Sequence, residues 1–420
     1  MMEKNKVLIS PAHYFLDDKT GGSEIYWIVN ILKGIAKSKI YSLDIITGYI
    51  KNIEIPGDEH NIFEISKTFK NHLNVFYALY FTLKKSFLYR RLRLKYDYRI
   101  IHHMLPFGIG STFDLDFIFK DKNKKYILGP IQAPPTPLFS DEEFDYVTMG
   151  FNISILQKLM RKTDVLLIAL FKKVTNYLNN LTIEKADKIV VINEHAKKLI
   201  LNRKVSEEKI LIIPPGIDTN KFEYIPFERK ELDIFELITV GSLIKRKGID
   251  FIIRAIAEIV GCMGNVKLRI VGDGPQRESL GRLVEELCLS DFIIFQGHVP
   301  HNEMYKYYQK AHIFVSMSQS ETWGQMYLEA MACGLPVIAS RNIGSNEIIK
   351  EGIFGYLIEQ KNYQKLSAVL ISLLKNKKLI AEFGKNACLE IKKHYDWQTS
   401  IIPQYLKIYG ELLIDGTEKV

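Results

Sequence analysis

Apolar residues along this chain fall into two alternating patterns. Short runs occur in "NKVLISPAH" (5–13), "SLDIITG" (42–48), "RIIHHMLP" (99–106), "KYILGPIQAPP" (125–135), "ADKIVVINE" (186–194) and "KILIIPPGID" (209–218). Between them lie stretches with helical spacing, such as "GGSEIYWIVNILKGIAKS" (21–38), a glycine loop feeding an amphipathic helix. Such alternation predicts strands and helices in turn, and hence a parallel sheet covered on both faces. The pattern restarts after 215–232, with "FELITVGSLIKRKG" (235–248), a helix "IDFIIRAIAEIV", and strand-loop units at 266–275, 291–299 and 312–318. The predicted architecture is two doubly wound α/β domains, 1–215 and 232–390, with ligand in the cleft at the carboxyl ends of the strands. A closing segment, 397–413, has helical spacing and apolar residues Ile401, Ile402, Tyr405, Leu406 and Ile408 that need a partner surface. There is no short solenoid-type repeat.

One stretch, "SETWGQMYLEAMACGLPVIAS" (320–340), reads as loop, helix and strand. Apolar residues at 326, 328 and 331 have helical spacing, Gly334 suits the helix end, and Pro336 blocks continuation. Gly324 falls at the helix entrance, where backbone N–H groups lack intrahelical acceptors and suit a phosphate. Glu321 precedes this helix and Glu329 lies inside it. Taken alone, the two carboxylates are explained as a residue near a helix start and a solvated helix position.

Composition narrows the class. The chain has 420 residues, 47% of them hydrophobic, enough to bury two cores of ordinary size. Four cysteines, Cys262, Cys288, Cys333 and Cys388, show no metal-like or redox spacing, which implies a reducing compartment. No signal-peptide core or run of about 18 apolar residues is present, so neither a leader nor a spanning helix is expected. The net charge of +9 suits anionic surfaces or phosphorylated ligands. Nine Lys or Arg against one acidic residue fall between Lys67 and Arg99, interleaved with aromatic and aliphatic residues; "ILQKLMRKTDVLLIALFKKV" (155–174) repeats the mixture. Both have the composition of basic amphipathic helices able to lie in an anionic headgroup layer, and equally of surface helices with a solvated basic face.

Several loops after predicted strands have phosphate-binding character. "TGGSE" (20–24), "GSLIKRKG" with Lys245, Arg246 and Lys247, and "VGDGP" are each unspecific. None matches a P-loop or the dinucleotide fingerprint, which argues against a dehydrogenase. Their order is more informative. A glycine loop after the first strand, "PPGID", "VGSLIKRKG", "VGDGP", "FQGHV" and then the 320–340 stretch together resemble the retaining glycosyltransferases of family 4. The resemblance is strongest over 209–359, weaker over 1–48, and faint between 49 and 185.

That resemblance implies the GT-B fold, two Rossmann-like domains facing across a cleft, and assigns roles residue by residue. Glu321 and Glu329 match the family's acidic pair, Glu321 at the transferred sugar and Glu329 at the nucleotide ribose; carboxylates accept from hydroxyls. Trp323, Gly324 and Gln325 would cradle the diphosphate, with Lys247 and Arg246 neutralising it as it leaves. Gly297 to Val299 would read the base, and Gly21 and Gly22 would let backbone approach the phosphates. His103, or its neighbour His102, matches a histidine beside the sugar. Asp218 reads as a loop former. Many relatives carry Arg where this chain has Ser242, so Arg246 is expected to take over that charge. "YILGPIQAPPTP" (126–137) occupies an acceptor-loop position without the family's glycines.

The expectation is a transferase using a nucleoside-diphosphate sugar, with no cofactor, no metal and no nucleic-acid partner. The acceptor would be a glycan on a lipid carrier, in cell-surface polysaccharide biosynthesis, with the protein cytoplasmic and peripheral at the inner face of the membrane. Two rivals are a soluble transferase acting on a small sugar or glucan, and a non-catalytic sugar-nucleotide-binding protein of the same fold.

Overall fold

The computed structural model of the chain describes residues 5–11, 15–17, 23–65, 75–104, 114–132, 162–229 and 233–414. The chain divides into two compact units, one made of described residues up to Pro214 together with those from Ile401 onward, the other of Pro215–Ser400.

The strands of the first unit are β1 (Asn5–Ile9), β2 (Phe15–Asp17), β3 (Tyr41–Thr47), β4 (Tyr49–Lys51), β5 (Asn61–Glu64), β6 (Ile100–His103), β7 (Lys125–Ile131), β8 (Lys188–Val191) and β9 (Ile210–Ile212). Seven form a sheet of order β5-β3-β1-β6-β7-β8-β9, and every pairing in it is parallel. β2 and β4 pair separately. The helices are α1 (Ser23–Lys37), α2 (Val75–Leu92), α3 (Leu115–Ile118), α4 (Lys162–Lys185) and α5 (Glu194–Leu201). β3 is buried along its whole length, as a parallel strand covered on both faces must be, which is why its sequence reads as an apolar run.

The second unit carries β10 (Phe235–Val240), β11 (Val266–Val271), β12 (Ile293–Gly297), β13 (Ile313–Ser316), β14 (Val337–Ser340) and β15 (Gly355–Ile358). Their order, β12-β11-β10-β13-β14-β15, is that of the doubly wound dinucleotide-binding fold. Helices α6 (Ile249–Val260), α7 (Arg277–Glu286), α8 (Tyr305–Lys310), α9 (Gln325–Ala332), α10 (Ile343–Ile348), α11 (Tyr363–Leu374) and α12 (Lys377–His394) belong to it. Ile252, Ile256 and Ile259 of α6 share one core with Leu237 of β10 and Leu268 of β11.

The closing helix begins later than its spacing implied. Residues Trp397–Ile401 form a π-helical turn, and α13 (Ile402–Ile414) follows. It is part of the first unit. Ile402, Tyr405, Ile408, Tyr409 and Leu412 are buried, and Tyr409 lies edge-on to Tyr41 at 5.3 Å between ring centres. A Cβ on Gly34 of α1 would come within 2.4 Å of Ile402, so the small residue admits the helix.

α2 departs from the amphipathic pattern expected for the basic segment. Lys85 is buried, while Leu83 and Phe87 are exposed. The inversion has an electrostatic cause, since Lys85 Nζ lies 2.9 Å from Asp116 Oδ2 and also pairs with Asp114. Lys67 and Lys70, residues 155–161 and residues 133–137 lie outside the described residues, as do Gly21 and Gly22.

His102, at the core of the first unit, gives α13 its polar anchor. Its Nε2–H donates to the Gly129 carbonyl at 2.9 Å, which leaves Nδ1 to accept from the Tyr409 hydroxyl at 2.7 Å. Burial pushes His102 down from 6.5 to about 3, with the Gly129 carbonyl acting the other way. Between those values the unfolded chain binds a proton that the folded one does not. Stability from this residue is therefore full above about pH 6.5 and falls as pH drops, by up to roughly 1.4 kcal/mol per pH unit. His102→Gln can keep both hydrogen bonds and cannot titrate. Denaturant unfolding between about pH 7 and pH 5 should show a flatter profile for the variant; parallel profiles would contradict this role.

Candidate active site

The site of the second unit is built where its sheet order reverses, between β10 and β13, because helices leave those strands on opposite sides and their loops part at the carboxyl ends. After β10 the chain runs through Gly241 and a single 3-10 turn, Lys245–Lys247, into Gly248 and α6. Gly248 has φ +61°, and a Cβ there would lie 2.3 Å from the Met317 carbonyl oxygen. Only glycine serves at this point, for its backbone conformation and for the close approach to the end of β13.

That approach brings charges together. Lys247 Nζ donates to Glu321 Oε1 at 2.5 Å. Arg246 Nη1 is 3.6 Å from the same oxygen and donates to the Ser320 carbonyl. The Ser318 hydroxyl donates to Glu321 Oε1 at 2.8 Å. The Glu321 side chain is only 13% exposed. Burial raises its pKa, but Lys247 and then Arg246 outweigh burial and hold it below the ordinary carboxylate range. Glu321 is thus a desolvated anion beside two cations.

Behind it, the Ser318 carbonyl accepts from the Ser340 hydroxyl at 2.6 Å and from Asn342 Nδ2 at 2.9 Å. Asn342 caps α10 through a reciprocal pair with Ser345. The ends of β13 and β14 are thereby tied by a buried polar lattice.

Glu321 is followed by buried Trp323 and by Gly324, whose φ of +91° turns the chain into α9. Trp323 lies 6.0 Å from the Tyr395 ring. Its Nε1 has no hydrogen-bond partner among the described residues. Gln325 donates from Nε2 to the Gly216 carbonyl at 2.9 Å, so its side chain secures the "PPGID" loop to α9. Asp218 in that loop accepts from the N–H groups of Asn220 and Lys221, each at 3.1 Å, and closes a turn.

Glu329 sits one further turn into α9. It is buried, so the reading of it as a solvated helix position does not hold. His301 Nε2–H donates to Oε1 and the Tyr308 hydroxyl to Oε2, both at 2.8 Å. Burial, then the Glu329 charge, push the Tyr308 phenol well above its ordinary value, so it remains a donor. Each carboxylate oxygen keeps lone-pair capacity for a further hydroxyl. Gly297, with φ +74°, accepts at its carbonyl from Gly272 N–H at 2.8 Å; a Cβ there would meet open space, and Val299 beyond is half-buried.

Of the residues singled out from sequence, Arg246, Lys247 and Glu321 form one cluster, and Trp323, Gly324, Gln325 and Glu329 continue from it through the start of α9. Gly297 ends β12 and Val299 follows it, two strands away from β10. Ser318, Tyr308 and His301 were not singled out; a run of small polar residues at a strand end, "SMSQS", is the one signal that marked the first. Among the described residues no group of three His, Cys, Asp or Glu side chains is placed to hold a metal ion.

The first unit has its own cluster at the end of β6. His103 is buried, with Nδ1 2.5 Å from Asp114 Oδ2. Asp114 also pairs with Lys85 and accepts from Asp116 N–H at 2.9 Å. Burial raises the pKa of Asp114, but Lys85 and then His103 overcome it and hold this carboxyl below its ordinary range.

Residues 220–389 match the family described as glycosyl transferases group 1. A GDP-mannose-dependent alpha-(1-6)-phosphatidylinositol monomannoside mannosyltransferase from Mycolicibacterium smegmatis is 28% identical over 201 residues, 44% of this chain and 53% of that one. An alpha-monoglucosyldiacylglycerol synthase from Streptococcus pneumoniae is 32% identical over 192 residues, 43% of each chain. The matches thus span about half the length of these relatives. Sucrose-phosphate synthase from Thermosynechococcus elongatus superposes with a TM-score of 0.69 at 20% identity, covering 98% of this chain and 100% of that one. This likeness, with two all-parallel sheets of seven and six strands, gives the fold class as GT-B. Residues 220–389, all within the second unit, are thus similar to the glycosyl transferases group 1 family, to which the match is confined.

Proposed function

We propose that the chain transfers a sugar from a nucleoside-diphosphate sugar to a glycan acceptor on a lipid carrier, with retention at the anomeric carbon. The observation that carries this reading is the pair of cations, Arg246 and Lys247, held against the largely desolvated Glu321 at the switch point of a dinucleotide-type sheet. In the transfer, the bond from the anomeric carbon to the diphosphate oxygen breaks and its electron pair leaves with the diphosphate. The acceptor hydroxyl oxygen bonds to the anomeric carbon, and its proton passes to the departing diphosphate. Negative charge grows on the leaving group, and preorganised cations lower that barrier. Glu321 positions Lys247 and accepts from the sugar; Glu329 takes the ribose; the start of α9 faces the phosphates. Gly297 and Val299 flank the base.

Support for a lipid-linked acceptor comes from the relatives, whose names specify a phosphatidylinositol mannoside and a diacylglycerol. The outer face of α2 adds to it, with Tyr80, Leu83 and Phe87 exposed beside Lys84, Arg90 and Arg91. This combination suits the headgroup layer of an anionic membrane. None of the described helices is long and apolar enough to cross a membrane. We place the protein at the inner face of the cell membrane, in cell-surface polysaccharide biosynthesis.

Three outcomes test the reading. Glu329→Gln replaces a charged acceptor by a neutral one while keeping bonds to His301 and Tyr308 available. It should weaken nucleoside-diphosphate binding in calorimetry by roughly 1–1.5 kcal/mol; unchanged affinity removes the ribose assignment. Lys247→Met should lower turnover of the donor, measured as sugar released to water, by about 10²–10³, with a much smaller change in nucleoside-diphosphate affinity. Equal losses in the two would reduce Lys247 to a binding contact. Replacing Arg90, Arg91 and Arg93 together by Gln should release the protein from anionic vesicles at low salt, each charge contributing on the order of 1 kcal/mol. A wild-type protein that stays in the supernatant would favour a soluble acceptor.

A further inference from the structure

His102 and His103 are adjacent in β6 and face opposite sides of the sheet. Their nitrogens are used differently. His102 has both nitrogens engaged inside the core. His103 is equally buried, yet its Nε2 has no partner among the described residues. Leaving a buried ring nitrogen unmatched is costly unless something arrives to match it. The rest of the ring is firmly held, with Phe117 edge-on at 5.9 Å and Asp114 at Nδ1.

Asp114 carries more structure than a surface carboxylate would. Oδ1 accepts from the Asp116 N–H and from buried Lys85, and Oδ2 is committed to His103. Its own N–H donates to the Thr182 hydroxyl at 2.9 Å. It is therefore fixed from α2, from α4 and from the N-cap of α3. An ionised carboxylate only accepts, so the hydrogen between the two groups belongs to Nδ1. The lone pair of the neutral ring is then on Nε2, the atom without a partner.

We propose that Asp114 is a positioning residue which, kept ionised by Lys85, holds His103 as the Nδ1–H tautomer so that Nε2 accepts a hydrogen bond from a sugar hydroxyl. The tautomer follows from the first unit alone, whereas the identity of the hydroxyl rests on the glycosyltransferase reading. The two neighbouring histidines then carry opposite tautomers, Nε2–H at His102 and Nδ1–H at His103. Asp114→Asn would present an amide N–H to Nδ1, displacing the ring proton to Nε2 and turning an acceptor into a donor. Lys85 and Asp116 act through Asp114 and have no contact of their own with Nε2.

Long-range proton–nitrogen NMR on the full chain labelled with ¹⁵N-histidine reads the tautomer directly, with His103 assigned through His103→Gln. The wild type near neutral pH should show a protonated Nδ1 and a bare Nε2, and Asp114→Asn should show the reverse. A wild-type ring protonated at Nε2, alone or together with Nδ1, overturns the proposal, and this reading needs no variant to fold. The Nε2 signal should move on adding UDP-glucose or GDP-mannose, whichever binds by calorimetry, and not on adding UDP or GDP. An unmoved signal with a bound nucleotide sugar removes the hydroxyl contact. If none of these nucleotides binds, the functional reading fails and takes the hydroxyl with it, while the tautomer is still decided by the spectrum. In the folded variant, release of sugar to water should fall roughly tenfold to hundredfold with UDP or GDP affinity unchanged; a parallel loss of both would mark Asp114 as merely structural.

Discussion

Withdrawing most of the Glu321 carboxylate from water is the constraint around which the second unit's site is arranged. Taking an ionised carboxylate out of water costs several kcal/mol, and opposite charges offset this only when their geometry is held. Here it is held by backbone. Gly248 lets the loop after β10 close on the Met317 carbonyl, which brings Lys247 and Arg246 to Glu321. From the other side, the Ser318, Ser340 and Asn342 lattice fixes the loop after β13. Separating the loops would strand a carboxylate and two cations together. In the proposed transfer, the same arrangement would keep the cations in place before a diphosphate arrives, which is the condition for acting on charge that develops during reaction.

A comparable economy governs β6. A strand turns successive side chains to opposite faces, so two identical residues meet different chemistry. His102 meets a carbonyl and a phenol and becomes a fastening for α13. His103 meets an aspartate whose charge is balanced by a buried lysine. α13 is part of the first unit, and the buried clusters around Leu237 and around Leu8 each lie within one unit.

Much of the fold was legible because parallel strands buried on both faces read as apolar runs. β1, β3, β6 to β9 and β10 to β14 all coincide with such runs. β2 and β4, of three residues each, β5, which is mostly exposed, and β15 do not coincide with any of those runs. The residues of the 320–340 stretch and of "GSLIKRKG" were legible as a constellation because local loop geometry places them. What was not legible depends on contacts far apart in sequence. Lys85 reads as one charge in a basic stripe until Asp114 is folded against it from 29 residues away. Tyr308 and His301 have no local feature that pairs them with Glu329; only the packing of α8, and of the 3-10 turn His301–Glu303 before it, beside α9 does so. Choosing between His102 and His103 likewise required knowing which side of the sheet holds Tyr409 and which holds Asp114.

The most direct test of the account is a crystal structure of the full chain with a nucleoside-diphosphate sugar, using UDP-glucose and GDP-mannose in turn. Diphosphate oxygens are expected within hydrogen-bonding distance of Lys247 Nζ and of backbone N–H groups at the start of α9, with ribose hydroxyls on Glu329. A nucleotide bound elsewhere in the second unit, with the Lys247–Glu321 pair buried and out of its reach, would contradict it.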